Sequence, residues 1–220
     1  MKIYTLPLWT FLVLIFLPGT PLSANTNSIQ CANLVYGGTH TSRCFSDEFL
    51  TQMQEITGIN TERRFKSVKL DSEEVFAHPF VMMTGEQDFH FSSRERENLK
   101  HYLLNGGFML ASAGCSSSSW DTAFRRNIRA VFGDEYSLEP ISMDHPIFRT
   151  VHEIDQLELS RGDETAQLEG IEVNGKLVLV YSSEGLNDSA NTTGCCCCGG
   201  NEISNAAEVN LNILIYALLH

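Results

Sequence analysis

The fold is decided by a continuous apolar stretch, Pro79-Phe80-Val81-Met82-Met83-Thr84-Gly85. An unbroken apolar run of this length predicts a strand that is buried on both faces, as in a parallel sheet covered by helices. A second run with the same character follows at 108–111, and Ser92 with Glu95 predicts a capped helix between the two runs. A strand, a helix and a second strand in this order predict a parallel βαβ unit.

The flanking segments continue the alternation of strands and helices. Residues 33–36 predict a first strand, and apolar spacing predicts helices after Ser46 and over 120–131. Asn174-Gly175 between two apolar runs predicts a β-hairpin with a type I′ turn. A last helix after Ser204 is apolar on nearly every side, so we expect it to be buried. The sequence therefore predicts an α/β fold with a mostly parallel sheet plus a β-hairpin near the C-terminus.

The length and charge of the chain restrict its partners. Its 220 residues are typical of one domain, and a hydrophobic content of 43% is enough to form a core. Lys and Arg total 15 against 27 Asp and Glu, which gives a net charge of −12. Duplex nucleic acids and anionic membranes both select basic surfaces. We therefore expect a protein partner or a small-molecule ligand, and no nucleic acid.

The first 24 residues have the features of a secretory signal peptide. Lys2 is the only charged residue among them, an apolar run follows, and small residues precede a predicted cleavage after Ala24. We expect residues 1–24 to be the signal peptide and 25–220 to form one domain, exported to the periplasm or the medium, with no transmembrane span in the mature chain. An uncleaved membrane anchor is the alternative, although the apolar run is short for a span.

The cysteines have several possible roles. All seven lie beyond Ala24, and four are consecutive, Cys195-Cys196-Cys197-Cys198. Outside the cytosol, thiols tend to form disulfides or bind metals. Alternate cysteines of this run could bind zinc together with Cys115 or a histidine. Disulfides from the run to Cys31, Cys44 or Cys115 would instead join a long loop to the sheet, and a redox or catalytic role is the third possibility.

A ligand pocket is expected where the predicted parallel strands end, because open α/β sheets bind ligands beyond the carboxyl ends of their strands. The candidate residues follow the predicted strands and are mostly glycine or polar. They are Gly37, Gly38, Thr39, Arg43, Gly85, Glu86, Asp88, His90, Gly114 and Cys115. Arg43 could hold an anionic ligand or pair with a carboxylate. Glu86, Asp88 and His90 could bind a metal or act as acid–base groups, or they could be solvated loop residues.

Cys115 is the weak candidate for a catalytic residue, because it lies in a strand-to-helix turn. A nucleophilic thiolate needs a nearby base, which His90 or His145 could supply. The alternative roles of Cys115 are a disulfide partner or a small buried residue.

Six short motifs occur in order along the chain. They are Tyr36-Gly37-Gly38, 78–85, 98–103, 106–111, Phe124-Arg125-Arg126 and Asp144-His145-Pro146-Ile147-Phe148. Together they resemble the bacterial domain of unknown function family 4159, within the class I glutamine amidotransferase-like superfamily. The resemblance implies a flavodoxin-like three-layer sandwich and no assigned reaction.

The resemblance also bears on catalysis. The wider superfamily uses a cysteine at a sharp turn after a strand, with a late histidine and an acid. Here Ala113 falls near that turn, Cys115 lies about two residues late, and the only histidine after the last strands is the terminal His220. This departure implies a non-catalytic module that binds a ligand or a protein. A metal-binding or redox protein using Cys195–Cys198 is the alternative, and a Cys115-dependent hydrolase is the weaker one.

Overall fold

The computed structural model describes Met1 and residues 28–38, 45–162, 164–187 and 200–220. Residues 2–24 of the predicted signal peptide lie outside the described residues, as do Thr39, Arg43, Cys44 and the run Cys195–Cys198.

Seven strands form one sheet in the order β2-β1-β3-β4-β7-β6-β5. The strands are β1 (Ala32–Val35), β2 (Lys66–Lys69), β3 (Phe80–Gly85), β4 (Phe108–Ala113), β5 (Glu139–Pro140), β6 (Leu168–Val173) and β7 (Lys176–Ser182). The pairs from β2 through to β7 are parallel, whereas β7 pairs with β6, and β6 with β5, in antiparallel fashion. The mostly parallel sheet of the prediction is therefore confirmed.

The predicted hairpin between β6 and β7 is also confirmed. Asn174 and Gly175 link the two strands with φ angles of 53° and 77°, as a type I′ turn requires. Residues 139–140 form a two-residue edge strand that the sequence analysis did not predict, because so short a segment carries no periodic pattern.

Helices cover both faces of the sheet. They are α1 (Glu48–Thr57), α2 (Ser93–Leu104), α3 (Ser118–Phe132) and α4 (Ala206–Leu219). Residues of α2 and α3 share one apolar cluster with Val81 and Met83, while residues of α1 and α4 share the other with Phe80 and Met82. Successive side chains of a strand point to opposite faces. Two-sided burial therefore explains why the run in β3 is apolar at consecutive positions.

The helix termini agree with the sequence analysis in one case and differ in two. Ser92 and Glu95 form the predicted capping box, with Glu95 N donating to Ser92 Oγ at 3.2 Å and Ser92 N donating to Glu95 Oε2 at 2.7 Å. The N-cap of α1 is Asp47 rather than Ser46, and that of α4 is Asn205 rather than Ser204. Neither of these two side chains accepts a hydrogen bond from the first turn of its helix.

The last helix is buried, as predicted. Leu211 and Leu214 are fully buried, and so are the amides Asn210 and Asn212. Asn212 Oδ1 accepts hydrogen bonds from the backbone N–H groups of Val151 and His152, at 3.1 and 2.9 Å. In the part of the chain that the structure describes, no helix combines the length and the apolar character that a bilayer span requires.

Candidate functional site

The carboxyl ends of β1, β3, β4 and β7 lie side by side, because these four strands run parallel. In the sheet, Gly85 pairs with Ala113, and Ser112 pairs with Ser182. We call the residues at these ends and just after them the strand-end rim. The strand-end rim comprises Gly37–Gly38, Gly85–Glu86, Gly114–Ser117 and Ser183–Glu184.

A buried pair of aromatic side chains supports the rim from below. Tyr36 Oη donates to the carbonyl of Thr84 at 2.8 Å, and Trp120 Nε1 donates to Tyr36 Oη at 2.6 Å. Both rings are buried, and this burial raises the pKa of Tyr36. A Cβ on Gly85 would collide with the Tyr36 hydroxyl and lie 2.6 Å from Trp120 Nε1. Only glycine therefore allows β3 to end against these rings.

Three hydroxyl side chains form a row beneath the rim. Thr84, Ser112 and Ser182 are paired in register on β3, β4 and β7, so they face the same side of the sheet, and all three are fully buried. Ser112 Oγ donates to the carbonyl of Glu184 at 3.3 Å and accepts from Leu186 N at 2.9 Å. Among the described residues, Thr84 Oγ1 and Ser182 Oγ have no hydrogen-bond partner.

The turn after β4 is strained. Cys115 and Ser116 have φ angles of 52° and 51°, in the left-handed region that residues other than glycine rarely adopt. Ala113 is extended, with a φ of −68°. Ala113 ends β4, and the positive φ angles follow at Cys115 and Ser116. The sharp turn therefore falls on Cys115 itself, two residues after the position that the resemblance implied.

Residues 200–202 pack across this turn. A Cβ on Gly200 would collide with the Cys115 backbone carbonyl. Asn201 N donates to Ser116 Oγ at 3.0 Å, and Ser116 Oγ donates to the carbonyl of Asn201. Ser117 Oγ donates to the carbonyl of Glu86 at 2.5 Å. The left-handed turn is therefore held by hydrogen bonds from two other segments.

Asn201 is a central residue that sequence reasoning missed. Its Oδ1 accepts hydrogen bonds from Ser160 Oγ and Arg161 N, both at 3.0 Å, and its carbonyl accepts one from Gly185 N at 3.1 Å. Its partners lie far away in the chain, and no local pattern of residue types signals such contacts.

Cys115 has an acidic neighbour among the described residues. Its sulfur lies 3.9 Å from Glu86 Oε1, and it is not a free thiol. The free cysteine among the described residues is Cys31. Cys31 is fully buried, and burial raises the pKa of its thiol to about 12.

The structure brings together six of the predicted pocket residues and leaves two outside the rim. Gly37, Gly38, Gly85, Glu86, Gly114 and Cys115 belong to the rim. Asp88 accepts from Arg126 of α3 at 2.7 Å, and this guanidinium lowers the pKa of Asp88. Arg126 lies eight residues after the start of α3, which is ~12 Å along the helix. Asp88, which pairs with Arg126, therefore lies outside the rim. His90 is exposed in the loop between β3 and α2.

His145 does not approach Cys115, so that expectation was wrong. Its Nδ1 accepts from Ile147 N at 3.1 Å, and burial lowers the pKa of the ring. His145 lines a surface cavity with Leu177 at the start of β7. Leu177 lies five residues before Ser182, which is ~17 Å along a strand. His145 and Cys115 therefore lie at opposite edges of the sheet.

No group of three or more His, Cys, Asp or Glu side chains within the described ranges is arranged to hold a metal ion. The zinc site expected at Cys195–Cys198 lies outside those ranges.

Replacing Gly85 tests whether the rim depends on this close approach. We expect Gly85→Ala to lower the free energy of unfolding by about 1–3 kcal/mol, because the new methyl group overpacks the site. Tyr36→Phe removes the hydroxyl nearest to that methyl group. In the Tyr36→Phe background, the penalty of Gly85→Ala should therefore be smaller, as measured by urea denaturation of all four variants. Strictly additive penalties would contradict the proposed steric contact.

Comparison with known proteins supplies the family. A search of curated proteins found no match to the chain. One family model, described as a domain of unknown function (DUF4159), matches residues 30–218 and so covers both faces of the sheet and the whole strand-end rim. The chain therefore belongs to the DUF4159 family of domains of unknown function.

Proposed function

We propose that this chain is a non-catalytic binding module that holds a ligand or a partner protein at the strand-end rim. The observation that carries the proposal is the row of hydroxyls beneath the rim. Thr84 Oγ1 and Ser182 Oγ are buried and have no described partner. Buried polar groups in native proteins are almost always hydrogen-bonded to protein, water or ligand. A ligand at the rim, or water ordered by it, would satisfy both hydroxyls.

The charge of the rim favours a ligand with positively charged donor groups. Glu86 and Glu184 belong to the rim. Carboxylates attract cationic groups, and hydroxyl oxygens accept hydrogen bonds from the same donors. A guanidinium or ammonium group, on a small molecule or on a protein surface, meets both requirements.

The surroundings of Cys115 support the non-catalytic part of the proposal. A nucleophilic cysteine needs a base and a stabilised thiolate. The Glu86 carboxylate repels a neighbouring thiolate, and His145 lies at the other edge of the sheet. The segment 200–202 also covers the backbone of the turn, where a hydrolase would need open access.

The proposal also includes the superfamily of the chain, the layering of its fold and its export. The ordered motifs and the helices on both faces of the sheet support membership of the amidotransferase-like superfamily and a flavodoxin-like three-layer arrangement. The composition of residues 1–24 supports export to the periplasm or the medium.

An NMR titration of the mature chain with arginine tests the binding site. We expect saturable shifts of the Gly38, Gly85 and Gly114 amide signals, and no such shifts with glutamate at equal ionic strength. Thr84→Val keeps the shape of the side chain and removes its hydroxyl. This variant should bind arginine more weakly while its unliganded stability is unchanged or higher, because an unpaired buried hydroxyl is lost.

Matched controls complete this experiment. Glu86→Gln should weaken arginine binding, whereas Glu97→Gln on the exposed side of α2 should not. Equal responses to arginine and glutamate, or a Thr84→Val variant that binds as the wild type does, would overturn the assignment of the site.

A Cys115-dependent hydrolase is the second candidate, and the left-handed turn at Cys115 and Ser116 favours it. Strained backbone of this kind concentrates at functional sites. The test is hydrolysis of glutamine and of a simple ester by the purified protein, with and without reductant. We expect no turnover above the rate in buffer. If the protein shows turnover that is abolished in Cys115→Ala and unchanged in Cys31→Ala, the chain is a hydrolase and the non-catalytic proposal is wrong.

Thiol titration with mass-spectrometric disulfide mapping tests the cysteines. We expect Cys115 to be oxidised, Cys31 to react only after denaturation because it is buried, and the protein to carry no stoichiometric zinc. The intact mass of the same exported sample should correspond to a chain that begins at Asn25. Stoichiometric zinc bound by Cys195–Cys198 in protein purified without chelator would establish the metal-binding alternative instead.

A further inference from the structure

A cavity at the edge of the sheet opposite the strand-end rim has the composition of a small-molecule site. It lies where β3 and β4 begin and has a volume of about 210 Å³. Its walls include Phe76, His78, His101, Tyr102 and the Gly106-Gly107 turn. The described residues that line it include no Lys, Arg, Asp or Glu. The cavity therefore has aromatic walls without formal carboxylate or guanidinium charges.

His78 lines this cavity, and one nitrogen of its ring has no hydrogen-bond partner among the described residues. The residue is only 5% exposed, and its Nδ1 lies 2.7 Å from the carbonyl oxygen of Gln30. A carbonyl only accepts, so Nδ1 carries the proton, and Nε2 of the neutral ring is an acceptor. Among the described residues, Nε2 has no hydrogen-bond partner. A buried acceptor without a donor is unfavourable, and it indicates a missing water or ligand.

The rings around His78 are fixed in place. Tyr102 Oη donates to the carbonyl of His78 at 2.8 Å, and a Cβ on Gly107 would collide with the Tyr102 ring. Phe76 is 41% exposed and meets the His101 ring edge to face, with ring centroids 5.1 Å apart. An exposed aromatic ring and a fixed one therefore both line the cavity, and a planar group can pack against such rings.

We propose that this cavity binds a small, uncharged aromatic molecule whose O–H or N–H group donates a hydrogen bond to His78 Nε2. The volume fits this class, since a cavity of ~150 Å³ already accommodates benzene. The aromatic walls select a planar ring, and the unpaired His78 Nε2 selects a hydrogen-bond donor. This site is separate from the strand-end rim, so it does not depend on the function proposed there.

Phenol and anisole form a matched pair of probes. The two differ in that anisole carries a methyl group in place of the hydroxyl hydrogen. In an NMR titration of the mature chain, phenol should give saturable shifts of the Gly106 and Gly107 amides in the millimolar range. Anisole should bind roughly 2- to 10-fold more weakly, the usual effect of one hydrogen bond. No saturable shift at these amides, or equal affinity for both probes, would overturn the proposal.

Two variants locate the contacts. In His78→Asn, the side-chain amide can still donate to Gln30, but the Nε2 acceptor is absent, so phenol and anisole should bind equally. Phe76→Ala should weaken the binding of both probes. Ile56→Ala, which removes another exposed apolar side chain, should leave the binding of both unchanged. A retained preference for phenol in His78→Asn would refute the role of Nε2. If that variant does not fold, the probe pair on the wild-type chain still decides the question.

Discussion

Burial of the two central strands on both faces is the constraint on which the rest of the structure depends. Alternate residues of β3 enter two different apolar clusters, so helices must cover each face of the sheet. A parallel neighbour can be reached only through a crossover, and α2 supplies it between β3 and β4. Polar side chains are therefore confined to the last positions of these strands, Thr84 and Ser112, where loops can reach them.

Contacts between distant parts of the chain shape the strand-end rim. Trp120 reaches Tyr36 across 84 residues, and Ser116 meets Asn201 across 85. In the turn after β4, two consecutive residues other than glycine take positive φ angles, a backbone conformation that is unfavourable by itself. The contacts with distant segments stabilise it. Without the hydrogen bonds to Asn201, little in the sequence of this turn would keep it left-handed.

The two edges of the sheet have different chemistry. At the carboxyl edge, buried hydroxyls lie beneath Glu86 and Glu184, which suits donors and positive charge. At the amino edge, glycines and aromatic rings surround His78, which suits an uncharged planar group. The helix-to-strand turn at Gly106-Gly107 packs closely on Tyr102, whereas the strand-to-helix turn after β3 carries the exposed carboxylate of Glu86.

Local sequence patterns determined much of the fold by themselves. The apolar run of β3, the Ser92–Glu95 capping box and the Asn174-Gly175 turn each depend on neighbouring residues, so each could be predicted from spacing and residue type. Tertiary structure alone decided the position of the turn at Cys115 rather than Ala113, the separation of His145 from Cys115, and the role of Asn201. These features depend on where strands end relative to one another and on contacts between segments that are distant in the chain. Local periodicity carries no information about such distances.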